Sequence, residues 1–201
     1  MSARLDLQAL NRAKKTCRSR LRACARSLPP AYFTEAGAAI SQWLMAHPLY
    51  QKARHILAFS PLPREADIRP LLDDIVASKT LYLPRVDPSQ VGQMSAVRMQ
   101  ALSERVVGTY GILEPGADQE ACQPGELDLV LAPCLGASRQ GERIGKGGGY
   151  YDRFLSEYEG PALLLCPECF LLEQVPVGPK DFIFFEGVVS EKGIYRAGRL
   201  L

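Results

Sequence analysis

Several short stretches of this chain are apolar from end to end, with no polar residue alternating between apolar ones. Leu129-Val130-Leu131-Ala132-Pro133, entered from Asp128, is the clearest, and Ile56-Leu57-Ala58-Phe59, entered from His55, and the segment over 161–166 behave alike. A strand that is apolar throughout is buried on both faces, which an open antiparallel sheet with one wet face does not provide. Between these stretches lie amphipathic helical patterns. The alternation predicts an α/β fold: a three-layer, open, mostly parallel sheet with helices on both faces.

Further strands are predicted over 80–84, 95–99 and 187–190, with the first apolar strand running over 54–60. Helices are predicted over 6–27, 31–46 and 150–157, and one more begins after Asp67, read as its N-cap. Phe33, Ile40, Trp43 and Leu44 are the core candidates of the second helix. Pro29-Pro30 stops the first helix, whose seam is Leu7, Leu10, Lys14, Cys17, Leu21, Cys24 and Leu28. One lysine on that seam is out of place unless its ammonium reaches water or an anion. Two readings stand: Lys14 snorkels past its neighbours, or Lys14 and Arg18, one turn on, face a phosphate-binding cleft. No repeat, low-complexity tract or linker divides the 201 residues, and 116–125 reads as a polar loop, so one domain over 1–201 is expected.

The strongest local signal is Gly141-Glu142-Arg143-Ile144-Gly145-Lys146-Gly147-Gly148-Gly149-Tyr150-Tyr151-Asp152. Closely spaced glycines let backbone N–H groups approach an anion, and the segment opens a helix, whose first N–H groups and dipole favour negative charge. Arg143 and Lys146 add full charges, so a polyphosphate is the expected ligand. The spacing is not that of a Walker loop, since glycine rather than Ser or Thr follows Lys146. It is not a dinucleotide fingerprint either, since Tyr150 stands where the third glycine belongs. Asp152, in the first helical turn, is a dipole-compensating acid or, beside a triphosphate, a ligand for Mg²⁺. Glu65 sits on the loop leaving the first strand, as a solvated loop acid or, since open α/β sheets line their ligand crevices there, as a residue facing a ligand.

Net charge is +2, but residues 1–26 carry eight Lys and Arg against Asp6 alone, which leaves the remainder at −5. The first helix therefore expects an anionic partner. It lacks aromatic interleaving, so no nucleic acid is expected. No apolar run approaches the ~18 residues that cross a bilayer. The N-terminus lacks a secretory core, so the expected compartment is the cytoplasm, with no membrane partner. Six cysteines, Cys166-Pro167-Glu168-Cys169 among them, find no second ligand pair for zinc and fit a reducing compartment.

Taken together, these residues resemble the 5-formyltetrahydrofolate cyclo-ligase family. The resemblance is carried by 143–152 with Arg153 and Leu155, by Lys14-Lys15-Thr16-Cys17-Arg18, and by Pro61-Leu62-Pro63-Arg64-Glu65-Ala66-Asp67. Leu83-Pro84-Arg85-Val86, Tyr110-Gly111-Ile112-Leu113-Glu114-Pro115 and 128–133 add to it. It implies a NagB/RpiA/CoA-transferase-like fold and an ATP- and Mg²⁺-dependent closure of 5-formyltetrahydrofolate to 5,10-methenyltetrahydrofolate through a phosphorylated imidate. By resemblance, ATP is held by Lys14, Lys15, Arg18, Arg143, Ile144, Gly145, Lys146, Gly147, Gly148, Gly149, Tyr150 and Tyr151. The reduced formyl-folate is held by Ser60, Glu65, Lys146, Gly147, Gly148, Gly149 and Tyr150. Lys146 and Arg143 are the catalytic cations, Asp152 and Asp181 bind Mg²⁺, and the protein is a monomer or weak homodimer. The chain departs from the family pattern at Gly136-Ala137-Ser138, Phe170 and Lys180. Alternatives are a diverged paralogue using the same loop on another substrate, and a non-catalytic folate- or nucleotide-binding protein.

Overall fold

The computed structural model describes residues 7–108, 111–179, 181–184 and 186–201. Its elements in chain order begin with α1 (Leu7–Ser27), α2 (Pro30–Ala46), α3 (Pro48–Lys52), β1 (His55–Leu57), α4 (Arg69–Ser78), β2 (Thr80–Val86) and β3 (Met94–Met99). Then follow β4 (Val106–Val107), β5 (Leu113–Glu114), β6 (Ala121–Cys122), β7 (Leu129–Pro133), β8 (Gly136–Ser138) and β9 (Arg143–Ile144). The last are α5 (Tyr150–Leu155), β10 (Ala162–Leu165), β11 (Leu171–Leu172), β12 (Val188–Ser190), β13 (Gly193–Arg196) and β14 (Arg199–Leu200).

Nine strands form one sheet in the order β14-β13-β12-β10-β7-β1-β2-β3-β6. The inner five, β12 to β2, are parallel, and antiparallel strands flank them on both sides. Adjacent residues of the parallel strands enter different cores. Ile56, Leu129, Leu131, Leu163 and Val189 pack with Ile40 and Leu44 of α2 and Leu71, Leu72 and Ile75 of α4. Leu57, Val130, Ala132, Leu164 and Val188 pack with Leu21 of α1 and Tyr151, Phe154 and Leu155 of α5. The two-faced apolar strands thus have the two-sided cover that their composition demands.

Several predicted details are revised. The first strand is three residues, and the chain leaves the ladder before Ser60. Asp67 does not occupy the N-cap; α4 starts at Arg69, and the Asp67 carboxylate accepts the Arg69 N–H at 3.2 Å while pairing with its guanidinium. Trp43 is 43% exposed rather than core, its indole N–H directed at the Glu191 carbonyl. Cys24, expected on the buried seam of α1, is exposed, and Ala25 packs inward in its place. The loop predicted over 116–125 contains β6, which pairs with β3 at the sheet edge.

A second, three-stranded sheet, β11-β8-β9, carries the chain toward the glycine-rich segment. Its β8–β9 turn is closed by Ser138, whose N–H donates to the Glu142 carbonyl at 2.9 Å and whose hydroxyl accepts the Glu142 N–H at 3.2 Å.

Candidate functional site

In chain order the parallel sheet grows from β1 to β2 on one side, and from β1 through β7, β10 and β12 on the other. The direction of growth therefore reverses between β1 and β7, and an α/β sheet opens a crevice at the C-terminal ends of the strands flanking such a point. A cleft of ≈ 750 Å³ lies there. Phe59, Ser60 and Glu65 follow β1, Pro133 and Cys134 close β7, and Pro84 and Val86 end β2, and all of these line it. The glycine-rich segment from Arg143 to Asp152 forms a wall, and Lys14, Arg18 and Arg22 of α1 reach in beside it.

The loop geometry depends on glycine. Gly147 has φ +111° and Gly149, the N-cap of α5, has φ +73°, conformations that side chains rarely adopt. α5 is six residues long, shorter than predicted, so it carries no extended helix dipole. Arg18 Nε donates to the Gly145 carbonyl at 2.9 Å, and Arg22 donates to the Lys146 carbonyl at 3.3 Å. Arg153 donates to the Gly148 carbonyl at 2.9 Å, and also to Gly92 in the β2–β3 turn at 3.3 Å. Carbonyl oxygens are thereby turned toward arginines outside the loop.

Three cations of the cleft face carboxylates. Lys14 Nζ lies 2.6 Å from both oxygens of Asp181, which also accepts the Gly178 N–H at 2.5 Å. Lys146 Nζ lies 2.5 Å from Glu65 Oε1, while Glu65 Oε2 accepts the Leu62 N–H at 2.9 Å. Arg143 is more distant, 3.5 Å from Asp152, and it also donates to the Pro133 carbonyl and stacks over the Tyr151 ring. The Tyr151 hydroxyl is buried without a hydrogen-bond partner, and burial pushes its phenol up, opposed by the Arg143 charge beside it. Ser60 is buried, and Arg105 approaches its hydroxyl at 3.5 Å.

Every residue singled out from the sequence for ATP, folate or metal lines this cleft except Lys15. Lys15 is exposed, a hundred degrees around α1 from Lys14, because successive helical residues point in different directions. Lys180 lies outside the described residues. Sequence reasoning missed the opposite wall, formed by Ile112, Leu113 and Glu114 of the β4–β5 hairpin together with Met94. The stretch 110–115 carried a family resemblance but no charge or glycine pattern that assigns it a role. Glu114 is only 4% exposed there, and its carboxylate faces the Val86 N–H.

No group of three or more His, Cys, Asp or Glu able to hold a metal ion exists among the described residues. Asp152 and Asp181 supply two carboxylates on one cleft. That donor set suits Mg²⁺, which binds through one or two carboxylates and completes its shell with phosphate oxygens and water. Among the described residues no helix is long and apolar enough to cross a membrane.

The family model described as the 5-formyltetrahydrofolate cyclo-ligase family matches residues 10–190. The 5-formyltetrahydrofolate cyclo-ligase of Escherichia coli (strain K12) is 30% identical over 161 residues, covering 78% of this chain and 88% of the relative. The Mus musculus protein of the same name is 30% identical over 185 residues, covering 86% and 91%. The NMR structure of Aquifex aeolicus 5,10-methenyltetrahydrofolate synthetase superposes with a TM-score of 0.81 at 26% identity, over 94% of this chain and 95% of that one. A 5,10-methenyltetrahydrofolate synthetase from Mycoplasma pneumoniae, 15% identical, agrees in fold with a TM-score of 0.70 over 89% of this chain and 98% of that one.

Proposed function

The chain belongs to the 5-formyltetrahydrofolate cyclo-ligase family, and on that premise we propose that it cyclises 5-formyltetrahydrofolate to 5,10-methenyltetrahydrofolate at the expense of ATP. The observation that carries the reading is the 2.5 Å pair between Lys146 and Glu65. It brings the glycine-rich phosphate loop and the carboxylate suited to a pterin onto one cleft, as transfer between two bound substrates requires.

In this reading the loop N–H groups, with Lys14, Arg18, Arg143 and Lys146, bind and orient the triphosphate. Glu65 accepts the pterin N–H donors, and Ser60 lies beside it. The formyl oxygen attacks the γ-phosphorus and the bond to ADP breaks, leaving a phosphorylated imidate. N10 then attacks the formyl carbon and gives up its proton as inorganic phosphate departs, closing the ring. Charge builds on the transferring phosphoryl oxygens, where Lys146 and Arg143 offset it. Asp152 and Asp181 would hold Mg²⁺, which when bound neutralises part of the polyphosphate charge. α1 and the β4–β5 hairpin flank the bound substrates on two sides. The cytoplasm is the compartment that this reading expects.

The test is direct. The protein is incubated with 5-formyltetrahydrofolate and Mg-ATP while the methenyl chromophore and ADP are followed together. One ADP per methenyl product is the expected result. Folded protein that yields neither would refute the proposal, and ADP release without the chromophore would move the activity to another acceptor.

A further inference from the structure

We propose that Arg64 is a positioning residue that ties the turn carrying Glu65 to the C-terminal end of α1. The proposal rests on the reading of Glu65 as the group that holds the pterin.

Arg64 has φ +67°, in the left-handed region, one of two non-glycine residues with positive φ among those described. Such a conformation is strained for a residue that carries a side chain, and it persists where the surroundings hold it. Here the holder is its own guanidinium. Nη1 donates to the Ala25 carbonyl at 2.6 Å and to the Leu28 carbonyl at 3.3 Å. The last carbonyls of a helix lack intrahelical partners and carry the negative end of its dipole, so a cation is well placed there.

The turn from Leu62 to Glu65, which contains Arg64, is closed on itself. The Glu65 N–H donates to the Leu62 carbonyl at 3.0 Å, and the Glu65 carboxylate takes the Leu62 N–H in return. It therefore moves as a unit, and its placement depends on what anchors it. Apolar packing does not fill the space beneath it: a small cavity of about 20 Å³ remains between the turn and α1, lined by Leu21, Ala25, Arg64 and Glu65 among others. The guanidinium bridges the two elements across that imperfect contact. α1 also holds the glycine-rich loop through Arg18 and Arg22. One helix is thus the common reference for both halves of the cleft, and Arg64 is the link on the Glu65 side.

The experiment compares steady-state kinetics of methenyl formation for wild type, Arg64→Gly and Arg64→Lys, varying each substrate at saturation of the other. Glycine accepts φ +67° without strain but removes the tether. If the turn then occupies its working position about a tenth of the time, the KM for the formyl-folate rises about tenfold. The KM for ATP and kcat stay within about twofold and the melting temperature within about 3 °C, because strain relief offsets the lost hydrogen bonds. Lysine keeps a cation at the helix end and returns the folate KM to within about threefold of wild type. A folate KM within twofold of wild type for Arg64→Gly overturns the inference, and so do equal rises in both KM values with a lowered melting temperature. If wild type itself forms no methenyl product, the reading of Glu65 fails and the inference falls with it.

Discussion

Replacing Lys146 by alanine separates a residue of the reaction from a residue of the fold. Lys146 is 43% exposed and its partner Glu65 is 9% exposed. A pair with one end this open to solvent is screened, and it contributes about 1 kcal/mol or less to stability. For a chain of this length that corresponds to about 2–4 °C in Tm. Glu65 is not abandoned by the change, because Oε2 keeps the Leu62 N–H. The proposed chemical role asks far more of the same ammonium. A donor aimed at charge that develops in the transition state accounts for about 10²–10³ in rate. Lys146→Ala is therefore expected to lower kcat for methenyl formation by that factor, with ADP release falling in parallel and the Tm moving by only a few degrees. Chromophore kinetics and calorimetry on one preparation read both quantities. A Tm drop of more than about 5 °C with kcat/KM within about fivefold of wild type would refute the reasoning, making the lysine a structural partner of Glu65.

Glu65→Gln removes the charge facing the pterin donors. It is expected to raise the folate KM by about 10–100-fold, read by steady-state kinetics, while the KM for ATP stays level or falls as Lys146 is freed. Asp181→Asn takes away one proposed Mg²⁺ ligand together with the partner of Lys14. It is expected to raise the half-saturating Mg²⁺ concentration by about tenfold with the folate KM unmoved, checked by titrating Mg²⁺ at fixed ATP. Away from the cleft, burial pushes the Glu168 carboxyl up, but hydrogen bonds from Ser190, Arg139 and Tyr195 outweigh it and hold the group below its ordinary value. A depressed carboxyl contributes stability that is full above the unfolded value of about 4.3 and is lost as pH falls through the lower folded value. Denaturant unfolding of Glu168→Gln is accordingly expected to show a shallower loss of stability below about pH 4 than wild type, and equal slopes would count against it.

The parallel sheet was legible because its strands are apolar on consecutive residues, a pattern that needs cover on two faces whatever the details. The same reasoning overlooked the two- and three-residue strands β4, β5, β6, β8, β9, β11 and β14. Such strands are too short for periodicity, and what places them is pairing with distant partners, as Ala137 pairs with both Arg143 and Leu171. The glycine segment, Lys14 and Glu65 were legible from local context: glycines interleaved with cations before a helix, a lysine on an apolar seam, an acid on a loop leaving a buried strand. Lys15, assigned to ATP by resemblance along with its neighbours, is exposed and lies off the cleft, because the helix turns it away from Lys14. Arg64 went unnoticed as a residue with a role because neither its backbone angle nor its reach to Ala25 is written in composition. Ile112, Leu113 and Glu114 look like ordinary edge residues until the hairpin folds over the cleft.

The cleft's charges fit the proposed reading, in which two ligands are bound together. Arg143 is 8% exposed and Lys14 15% exposed, so these cations have lost much of their water and must be offset by other charges. In the structure Asp152 and Asp181 do this, and Glu65 faces the more exposed Lys146. Each of those carboxylates is also the group that the proposed chemistry assigns to something else, Mg²⁺ for two of them and the pterin for the third. A triphosphate entering alone would take over Lys14 and Lys146 and leave Asp181 with the Gly178 N–H and Glu65 with the Leu62 N–H, each short of a compensating cation. A pterin entering alone would satisfy Glu65 and leave Lys146 uncompensated. Mg-ATP and the folate together leave none of the groups unmatched. On the proposed reading the ion pairs hold these side chains in position, and each would be exchanged when the complementary charge or donor binds. On this reasoning, Glu65→Gln weakens the folate while sparing ATP because it removes one of these pairs and leaves the Lys14–Asp181 exchange intact.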